Sequence, residues 1–314
     1  MPATTVLNPD DRGIAKAASL LEAGGLVAFP TETVYGLGAD ARNGRAVAGI
    51  FAAKGRPQFN PLIVHVASPE EALLYAEIDG DLLRLASAFW PGPLTLVVPK
   101  CPGKLSDLVT AGLETVALRV PAHPLAQQLL HRFGGPVAAP SANPSGRISP
   151  TVPEHVVDGL MGQIDAVVAG GACQIGLEST IIGLEQGRPV LLRPGGLAIE
   201  AITAVLGASP EPYRTVGVTA PGQLTSHYAP RARVRLNASH PKDGESWLGF
   251  GPDGYDGLNL SPEGELREAA ANLFGHLHRL DEQGAAQIAV AAIPETGLGL
   301  AINDRLRRAA APRV

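Results

Sequence analysis

Residues 26–38 read Leu26-Val27-Ala28-Phe29-Pro30-Thr31-Glu32-Thr33-Val34-Tyr35-Gly36-Leu37-Gly38, a short apolar run that passes into hydroxyls and glycines. The apolar run predicts a buried strand, and residues 31–38 predict a loop at its carboxyl end. Apolar residues at helical spacing before Gly24-Gly25, and again between residue 46 and Gly55, predict a helix on either side. The order helix, strand, loop, helix indicates an α/β protein.

Two cations follow the second helix in Lys54-Gly55-Arg56-Pro57, and the next apolar strand carries an amide and a histidine, in Asn60-Pro61-Leu62-Ile63-Val64-His65. Cations at a helix C-terminus often only complement the helix dipole. That interpretation is weakened because Pro57 takes Arg56 out of the helix. A histidine within an apolar strand is, taken alone, more often a core residue with satisfied polar atoms. Taken together, these residues indicate an anion-binding site.

The chain has 314 residues, 45% of them hydrophobic, enough for a sizeable core and for about two ordinary domains. Its net charge of −5 argues against binding nucleic acid through the field of the whole surface, but allows a local basic cleft. Cys101 and Cys173 lie far apart, which argues against a disulfide framework or a structural zinc site. With no membrane-length apolar run and no signal-peptide pattern, we expect a soluble, cytoplasmic protein.

Alternating apolar runs and helical segments continue along the first two thirds of the chain. Helices are predicted at residues 81–89 and 125–133. The strand predictions fall at residues 26–29, 62–66, 94–98, 115–120, 137–139, 166–168, 180–182 and 190–192. This pattern predicts a mixed sheet with helices in a first domain that spans residues 1–206.

Residues 207–233 contain four prolines and little apolar periodicity, which predicts a linker. Residues 234–314 predict a second, small α/β domain with strands at 234–236, 247–250, 258–260 and 287–293. Ser261-Pro262 predicts the start of a helix, and a last helix is predicted from about Leu298. A domain of roughly 80 residues is large enough to fold independently.

The strand Thr115-Val116-Ala117-Leu118-Arg119-Val120 alternates, so Thr115, Ala117 and Arg119 share one face. Arg119 is therefore either an edge-strand arginine that reaches solvent or a clamp for a carboxylate or phosphate, since guanidinium offers a planar fork.

Three more polar runs adjoin predicted strands: Pro140-Ser141-Ala142-Asn143-Pro144-Ser145-Gly146 with Ser149 beyond it, Gly176-Leu177-Glu178-Ser179-Thr180, and Leu192-Arg193-Pro194-Gly195-Gly196. The first has the composition of an ordinary turn. Ligand-binding loops of open α/β sheets nevertheless lie at strand ends, and five such loops on one sheet favour a ligand site.

Common phosphate-binding and hydrolase motifs, such as GxxxxGK[ST], GxGxxG opening a helix, HExxH and GxSxG, do not occur in the sequence. A phosphate site must therefore use side-chain cations and loop amides. His276 and His278 are two residues apart on a predicted helix, do not share a face, and are poor joint metal ligands.

The chain carries a series of motifs in one order: PTETVYGLGAD (30–40), KGRP (54–57), NPLIVHV (60–66), TVALRVP (115–121), APSANPSGRISPT (139–151), GLESTI (176–181), LLRPG (191–195), SHYAP (226–230) and GLGLAINDRLRRAA (297–310). This series resembles the Sua5/YrdC/YciO family, specifically its full-length Sua5-type members, over nearly the whole chain. The resemblance implies a YrdC-like twisted mixed sheet with helices, followed by a small Rossmann-like C-terminal α/β domain.

The resemblance also implies an activity: a nucleotidyltransferase that condenses L-threonine, bicarbonate or CO2, and ATP into threonylcarbamoyl-AMP and pyrophosphate. This is the first step toward the t6A37 modification of tRNA. The product would pass to a tRNA threonylcarbamoyltransferase, and a weak RNA contact is compatible with a basic cleft. Mg2+ would accompany ATP, with no metal ligand expected from the chain.

Matched motif by motif, the resemblance implies a set of site residues. Those for L-threonine are Thr33, His65, Arg119, Ala139 and Ser179. Those for ATP are Arg56, Asn60, Thr115, Ser141, Asn143, Ser149, Arg193 and, from the linker, Tyr228. Lys54 and Arg56 are the expected catalytic cations. One departure is Ala169-Gly170-Gly171, where the family pattern has an Asp-Gly-Gly turn.

Two other functions compete with this one. Related domains make carbamoyl-AMP for O-carbamoyltransferases, but those proteins carry further catalytic domains, which a tail of about 80 residues is too short to supply. A non-catalytic double-stranded RNA-binding module is disfavoured by the acidic net charge and by the lack of aromatic residues interleaved with Lys54 and Arg56.

Overall fold

The computed structural model describes residues 3–57, 59–213, 220, 222 and 226–312, and two β-sheets organise them. The strands of the larger sheet are β1 (Thr5–Leu7), β2 (Val27–Phe29), β3 (Gly36–Asp40), β4 (Ile63–His65), β5 (Leu94–Pro99), β6 (Thr115–Arg119), β7 (Val137–Ala138), β8 (Ala166–Val168), β9 (Thr180–Glu185), β10 (Arg188–Arg193) and β11 (Glu211–Pro212). Those of the smaller sheet are β12 (Arg233–Ala238), β13 (Ser246–Gly249), β14 (Leu258–Asn259) and β15 (Gln287–Ala291).

The larger sheet has the strand order β1-β8-β2-β3-β7-β4-β6-β5-β9-β10-β11. The sheet contains parallel pairs such as β4 with β6 and antiparallel pairs such as β5 with β6, so the predicted mixed sheet is confirmed. The register places His65 opposite Arg119, which brings two predicted site residues to adjacent strand ends.

Helices cover the sheets and bury their apolar faces. Their bounds are α1 (Asp11–Glu22), α2 (Gly44–Lys54), α3 (Pro69–Ala72), α4 (Gly80–Phe89), α5 (Asp107–Thr110), α6 (Pro124–Phe133), α7 (Pro153–Leu160), α8 (Ile199–Leu206), α9 (Leu266–Glu282) and α10 (Gly299–Ala310). Helix α1 begins as predicted, because the Asp10 carboxylate accepts from the Gly13 N–H at 2.8 Å. The sequence did not predict the short or weakly periodic elements β1, β3, β11, α3, α5, α7 and α8.

The prediction of a loop over residues 31–38 is wrong at its end, because Gly36 already belongs to β3, which pairs antiparallel with β2. The glycines hide this strand from the apolar pattern. They are needed where Phe29 and Val137 pack across Gly38, since a Cβ there would lie 2.8 Å from the Phe29 ring.

The smaller sheet has the order β12-β15-β13-β14 with every pair parallel, which confirms the Rossmann-like C-terminal unit. The predicted helix start at Ser261-Pro262 is wrong, because α9 begins at Leu266. Residues 261–264 form a turn instead, closed by a hydrogen bond from Gly264 N–H to Ser261 C=O. The Ser261 hydroxyl accepts from Glu265 N–H at 2.9 Å and so still anchors the helix.

The two sheets share apolar contacts. A hydrophobic cluster that contains Leu273 and Phe274 of α9 also contains Leu177, Ile148 and Tyr228. In the predicted linker 207–233, residues 214–219, 221 and 223–225 lie outside the described residues, and the division of the chain there stays a prediction. Within the described residues, no helix is long and apolar enough to cross a membrane.

Candidate active site

A cleft opens at the ends of strands in the larger sheet. Its described lining residues are Thr31, Thr33, Val34, Gly36, Arg56, Ile63, His65, Arg119, Ala139, Pro140, Ser141, Glu178, Ser179, Arg193, Gly222, His227 and Tyr228. All five residues predicted to bind threonine line this cleft, together with four of those predicted to bind ATP.

Arg119 is buried, because β6 lies between β4 and β5, so the alternative of an edge-strand arginine in solvent is wrong. Its Nη2 donates to Glu32 Oε1 at 2.6 Å, its Nη1 to Thr33 Oγ1 at 2.9 Å and its Nε to Gly92 O at 3.2 Å. These bonds aim the guanidinium at the cleft, where it can hold an anionic group.

His65 lies beside Arg119 and is buried, with its Nδ1 lacking a hydrogen-bond partner among the described residues. Burial, and then the charge of Arg119, lower the pKa of the imidazole from 6.5 to about 3. The ring is therefore neutral near pH 7. A neutral imidazole can exchange a hydrogen bond with a ligand hydroxyl.

Arg56 and Arg193 bring two further guanidinium groups to the cleft. Helix α2 ends at Gly55, as expected, and Arg56 turns back to donate to Pro61 O at 3.0 Å. Burial, together with Arg193, lowers the pKa of Arg56 to about 10, still well above neutral. Arg193 Nη2 donates to Ser179 O at 2.8 Å and to Ser179 Oγ at 3.2 Å. The cleft thus concentrates positive charge in a protein of acidic net charge.

Lys54 does not line the cleft but lies behind one of its loops, with only 4% of its surface exposed. Its Nζ donates to Ser141 O at 2.5 Å and also to Asn143 O. Burial, and then the charge of Arg56, lower the pKa of the ammonium group well below its ordinary value. Lys54 therefore supports the Ser141 loop, and its contact with ATP stays a prediction.

Four other residues predicted for ATP stand outside the lining set: Asn60, Thr115, Asn143 and Ser149. The Asn60 side chain is fully buried, and neither of its amide atoms has a hydrogen-bond partner among the described residues. Ser149 donates its hydroxyl to Glu178 Oε1.

Glu178 and His227 line the cleft although the sequence did not single them out. Glu178 lies within the GLESTI motif as its only acid, and His227 precedes Tyr228 in SHYAP, so both motifs held a signal. Tyr228 is 1% exposed and has φ of 60°, a conformation that is rare for a bulky residue. Such strain is held by its surroundings and is typical of functional sites.

The Ala169-Gly170-Gly171 turn, which departs from the family pattern, wraps around the hydroxyl of Tyr35. That hydroxyl donates to Gly171 O at 2.8 Å and accepts from Gly170 N–H at 3.2 Å. A Cβ at Gly170 would lie 2.5 Å from Pro30, so the turn requires glycine and supports the PTETVYG segment. The alanine in place of Asp leaves this arrangement intact.

The histidines of α9 have separate partners: His276 contacts Asn259 O, and His278 contacts Ser149 O. Within the described residues, no group of three or more His, Cys, Asp or Glu side chains could hold a metal ion.

The fold and the cleft define an α/β protein whose buried arginines can hold an anionic ligand. The chain matches the family model described as "Telomere recombination" (Sua5_yciO_yrdC) over residues 19–195, and that described as "Threonylcarbamoyl-AMP synthase, C-terminal domain" over residues 197–311. It therefore belongs to the Sua5/YrdC/YciO family.

Two curated relatives match along their whole length. The threonylcarbamoyl-AMP synthase of Pyrococcus abyssi is 43% identical, with 99% of both chains covered, and that of Bacillus subtilis is 41% identical, with 99% of this chain and 96% of the relative covered. The crystal structure of P. abyssi Sua5 complexed with L-threonine superposes with a TM-score of 0.90 at 42% identity, over 98% of each chain.

Proposed function

We propose that this chain is a nucleotidyltransferase that condenses L-threonine, bicarbonate or CO2, and ATP into threonylcarbamoyl-AMP and pyrophosphate. The observation that carries the proposal is full-length similarity to threonylcarbamoyl-AMP synthases, at 41% identity and above, in a chain whose motif residues converge on one cleft. The product serves the t6A37 modification of tRNA and passes to a tRNA threonylcarbamoyltransferase in the cytoplasm.

Threonine occupies the end of the cleft formed by Arg119, His65 and Thr33. The oriented guanidinium of Arg119 holds the carboxylate, and the neutral His65 ring lies at the hydroxyl end. Ala139 contributes its backbone, and Ser179 closes the pocket beside Arg193. The threonine amine attacks CO2 to form a carbamate, and the proton released from its nitrogen passes to solvent.

ATP occupies the end formed by Arg56, Arg193, Ser141 and Tyr228. A carbamate oxygen attacks the α-phosphorus and pyrophosphate departs, a displacement that needs positioning and charge neutralisation more than a covalent nucleophile. Further contacts to the nucleotide come from Asn60, Thr115, Asn143 and Ser149.

Mg2+ would enter with the triphosphate and shield its charge. Among the described lining residues Glu178 is the sole carboxylate, and both of its oxygens already have partners, Ser149 and Arg305. The phosphate oxygens of ATP would therefore supply the ligands for the ion. Arg56 and Arg193 would balance the remaining negative charge.

Residues of the 207–233 linker cover the cleft as a lid. Gly222, His227 and Tyr228 line the cleft, and Ala229 N–H donates to Gly146 O at 2.9 Å. A lid over this site would exclude water from the reactive acyl-adenylate. The buried tyrosine at the cleft supports a lid over a passive tether.

The proposal is tested by measuring pyrophosphate release from ATP with threonine and bicarbonate present, each omitted in turn, and by identifying threonylcarbamoyl-AMP by mass spectrometry. Release that requires both co-substrates is expected. Release without threonine would favour a carbamoyl-adenylate enzyme, and RNA binding with no pyrophosphate release would favour an RNA-binding module.

A further inference from the structure

Arg305 belongs to α10 of the C-terminal unit, yet its guanidinium is completely buried against segments of the cleft. Its Nε donates to Glu178 Oε2 at 2.8 Å, and its Nη1 donates to Pro194 O at 2.9 Å and to Asp304 Oδ2 at 2.7 Å. Its Cζ lies 5.0 Å from the centre of the Tyr228 ring. One side chain of the C-terminal unit thus contacts the GLESTI segment, the LLRPG segment and the linker.

Glu178 is the sole acid among the described residues that line a cleft rich in arginine. Its two carboxylate oxygens have separate partners, Ser149 and Arg305. Burial alone would raise the pKa of Glu178, but the charges of Arg305 and Arg193 outweigh burial and hold the pKa below its ordinary value. The carboxylate is therefore ionised, and its two oxygens are held by Ser149 and Arg305.

Stability by itself is a weak reason for this arrangement. Burying an ion pair costs about as much desolvation energy as the pairing returns, so an apolar residue often serves a structural role equally well. Arg305 Nη2 moreover has no hydrogen-bond partner within the described part of the chain. A better explanation is that the guanidinium pairs with Glu178 and supports the Tyr228 ring, two side chains that line the cleft.

We propose that Arg305 is a positioning residue of the active site, through which the C-terminal unit holds Glu178, Ser149 and Tyr228 in the arrangement that accepts ATP. The inference rests on the proposed function for the identity of the nucleotide. With Arg305 removed, the Glu178 carboxylate loses one of its two counter-charges and is left to Arg193 alone, so it competes with ATP for that arginine. The Tyr228 ring also loses one of its supports.

The competition of Glu178 with ATP for Arg193 predicts that ATP affinity depends on pH in a variant without Arg305. The groups that act on Glu178 are Ser149, Arg193, Arg305 and Tyr228, and Asp304 pairs with the other side of Arg305. Once Arg305 is absent, burial is opposed by Arg193 and Ser149 alone, so the pKa of Glu178 rises and the carboxylate is protonated at a higher pH than in wild type. As the pH falls, the ATP affinity of an Arg305→Met variant should therefore recover relative to wild type, because protonated Glu178 no longer competes for Arg193. A residue that only joins the two sheets has no reason to show this trend.

The experiment measures the dissociation constants of ATP and of threonine separately by calorimetry, for Arg305→Met, Arg305→Lys, Glu178→Gln and the Arg305→Met/Glu178→Gln double variant at pH 6, 7 and 8. Loss of a charge-assisted contact predicts an ATP dissociation constant raised about 10- to 100-fold at pH 8 in Arg305→Met, with threonine affinity nearly unchanged. The ATP dissociation constant of Arg305→Lys should lie between those of wild type and Arg305→Met. The double variant should bind ATP more tightly than Arg305→Met.

Arg307→Met is the matched control, because Arg307 lies on the same helix and pairs with Glu295 at the surface. Equal losses of ATP and threonine affinity, or a double variant no better than Arg305→Met, would overturn the proposal. If Arg305→Met fails to fold, Arg305→Lys provides the test. The proposal then requires that this variant lose more affinity for ATP than for threonine. Both affinities are read without turnover, so a wild-type chain that binds ATP but makes no threonylcarbamoyl-AMP would refute the proposed function and leave this inference testable.

Discussion

Glu32 and Arg119 form a buried ion pair in which Arg119 Nη2 lies 2.6 Å from Glu32 Oε1. The second carboxylate oxygen of Glu32 accepts from Ala122 N–H at 3.1 Å. Because both members are held by neighbours, the guanidinium has its orientation before any ligand arrives, and a ligand carboxylate does not have to order it. The end of the cleft proposed for threonine is thus pre-organised by an acid that is not among the lining residues.

Replacing Arg119 should chiefly impair threonine binding. In Arg119→Lys the charge remains but the planar fork is lost, and the threonine dissociation constant should rise about tenfold or more while ATP affinity changes little. Arg119→Ala should also lower the melting temperature, because Glu32 is left buried without its partner. Calorimetry with each substrate is the measurement, and Arg188→Ala, at an exposed ion pair, is the control. Unchanged threonine affinity in both variants would show that Arg119 does not hold the threonine carboxylate.

Arg56→Ala and Lys54→Met should each nearly abolish threonylcarbamoyl-AMP formation, for different reasons. Arg56 faces the cleft, and its removal deletes a charge-assisted contact worth about 1.5–3 kcal/mol.

Lys54→Met instead frees the carbonyls of Ser141 and Asn143, so it should lower the melting temperature as well as ATP affinity. Lys104→Met, at an exposed lysine, serves as the control. A Lys54→Met protein with wild-type ATP affinity would contradict the supporting role.

Threonine should be preferred over serine through a single methyl group. The cleft wall near Ala139 and Ile63 is apolar, and one methyl in such a niche is worth roughly 10- to 200-fold in kcat/KM. Valine should be poorer still, because the polar partners of the hydroxyl would be left unpaired. Competition assays of pyrophosphate release with the three amino acids provide the measurement. Equal turnover of valine and threonine would show that the hydroxyl is not recognised.

Because the pKa of His65 is about 3 in the native protein, the free energy of unfolding should depend on pH through this residue. The unfolded chain protonates this ring below about pH 6.5 and the native protein does not, so the unfolded state binds more protons and the contribution of His65 to stability falls as the pH drops. The free energy of unfolding of wild type minus that of His65→Asn should shrink by about 1.4 kcal/mol per pH unit below 6.5. Urea titrations from pH 8 to pH 5 measure this difference, which should be constant above pH 7.5. A difference that grows in acid would mean that the native ring is protonated.

Tyr228→Ala should weaken ATP binding and expose the intermediate to water. The ring stacks on Phe274 at 5.6 Å between centroids and lines the cleft, so its removal opens both the lid and the shared core. Hydrolysed intermediate should accumulate relative to pyrophosphate, as followed by chromatography. Tyr255→Ala, at an exposed tyrosine of the C-terminal unit, is the matched control. Normal ATP affinity and intermediate lifetime would reduce the linker to a tether.

Much of the fold and the site could be predicted from local patterns. Continuous apolar runs predicted the strands that carry His65 and Arg119, because strands buried on both faces need apolar residues throughout. Glycine ended α2 at the expected place and put Arg56 outside the helix. The helix start at Ser261 was wrong, since a serine followed by proline also begins a turn. Strand β3 was missed because its glycines are selected by a close approach of Phe29 and not by strand propensity.

By itself, the sequence determined the α/β class, the mixed sheet and the set of polar loops at strand ends, since these follow from periodicity and turn chemistry that act over a few residues. Only the tertiary structure decided which charged groups meet: that Lys54 supports a loop from behind, that Glu32 pairs with Arg119, and that Arg305 reaches Glu178 from 127 positions away in the chain. Such pairings depend on how distant elements pack, and a buried charge is determined by the partner it finds there, which no local pattern records.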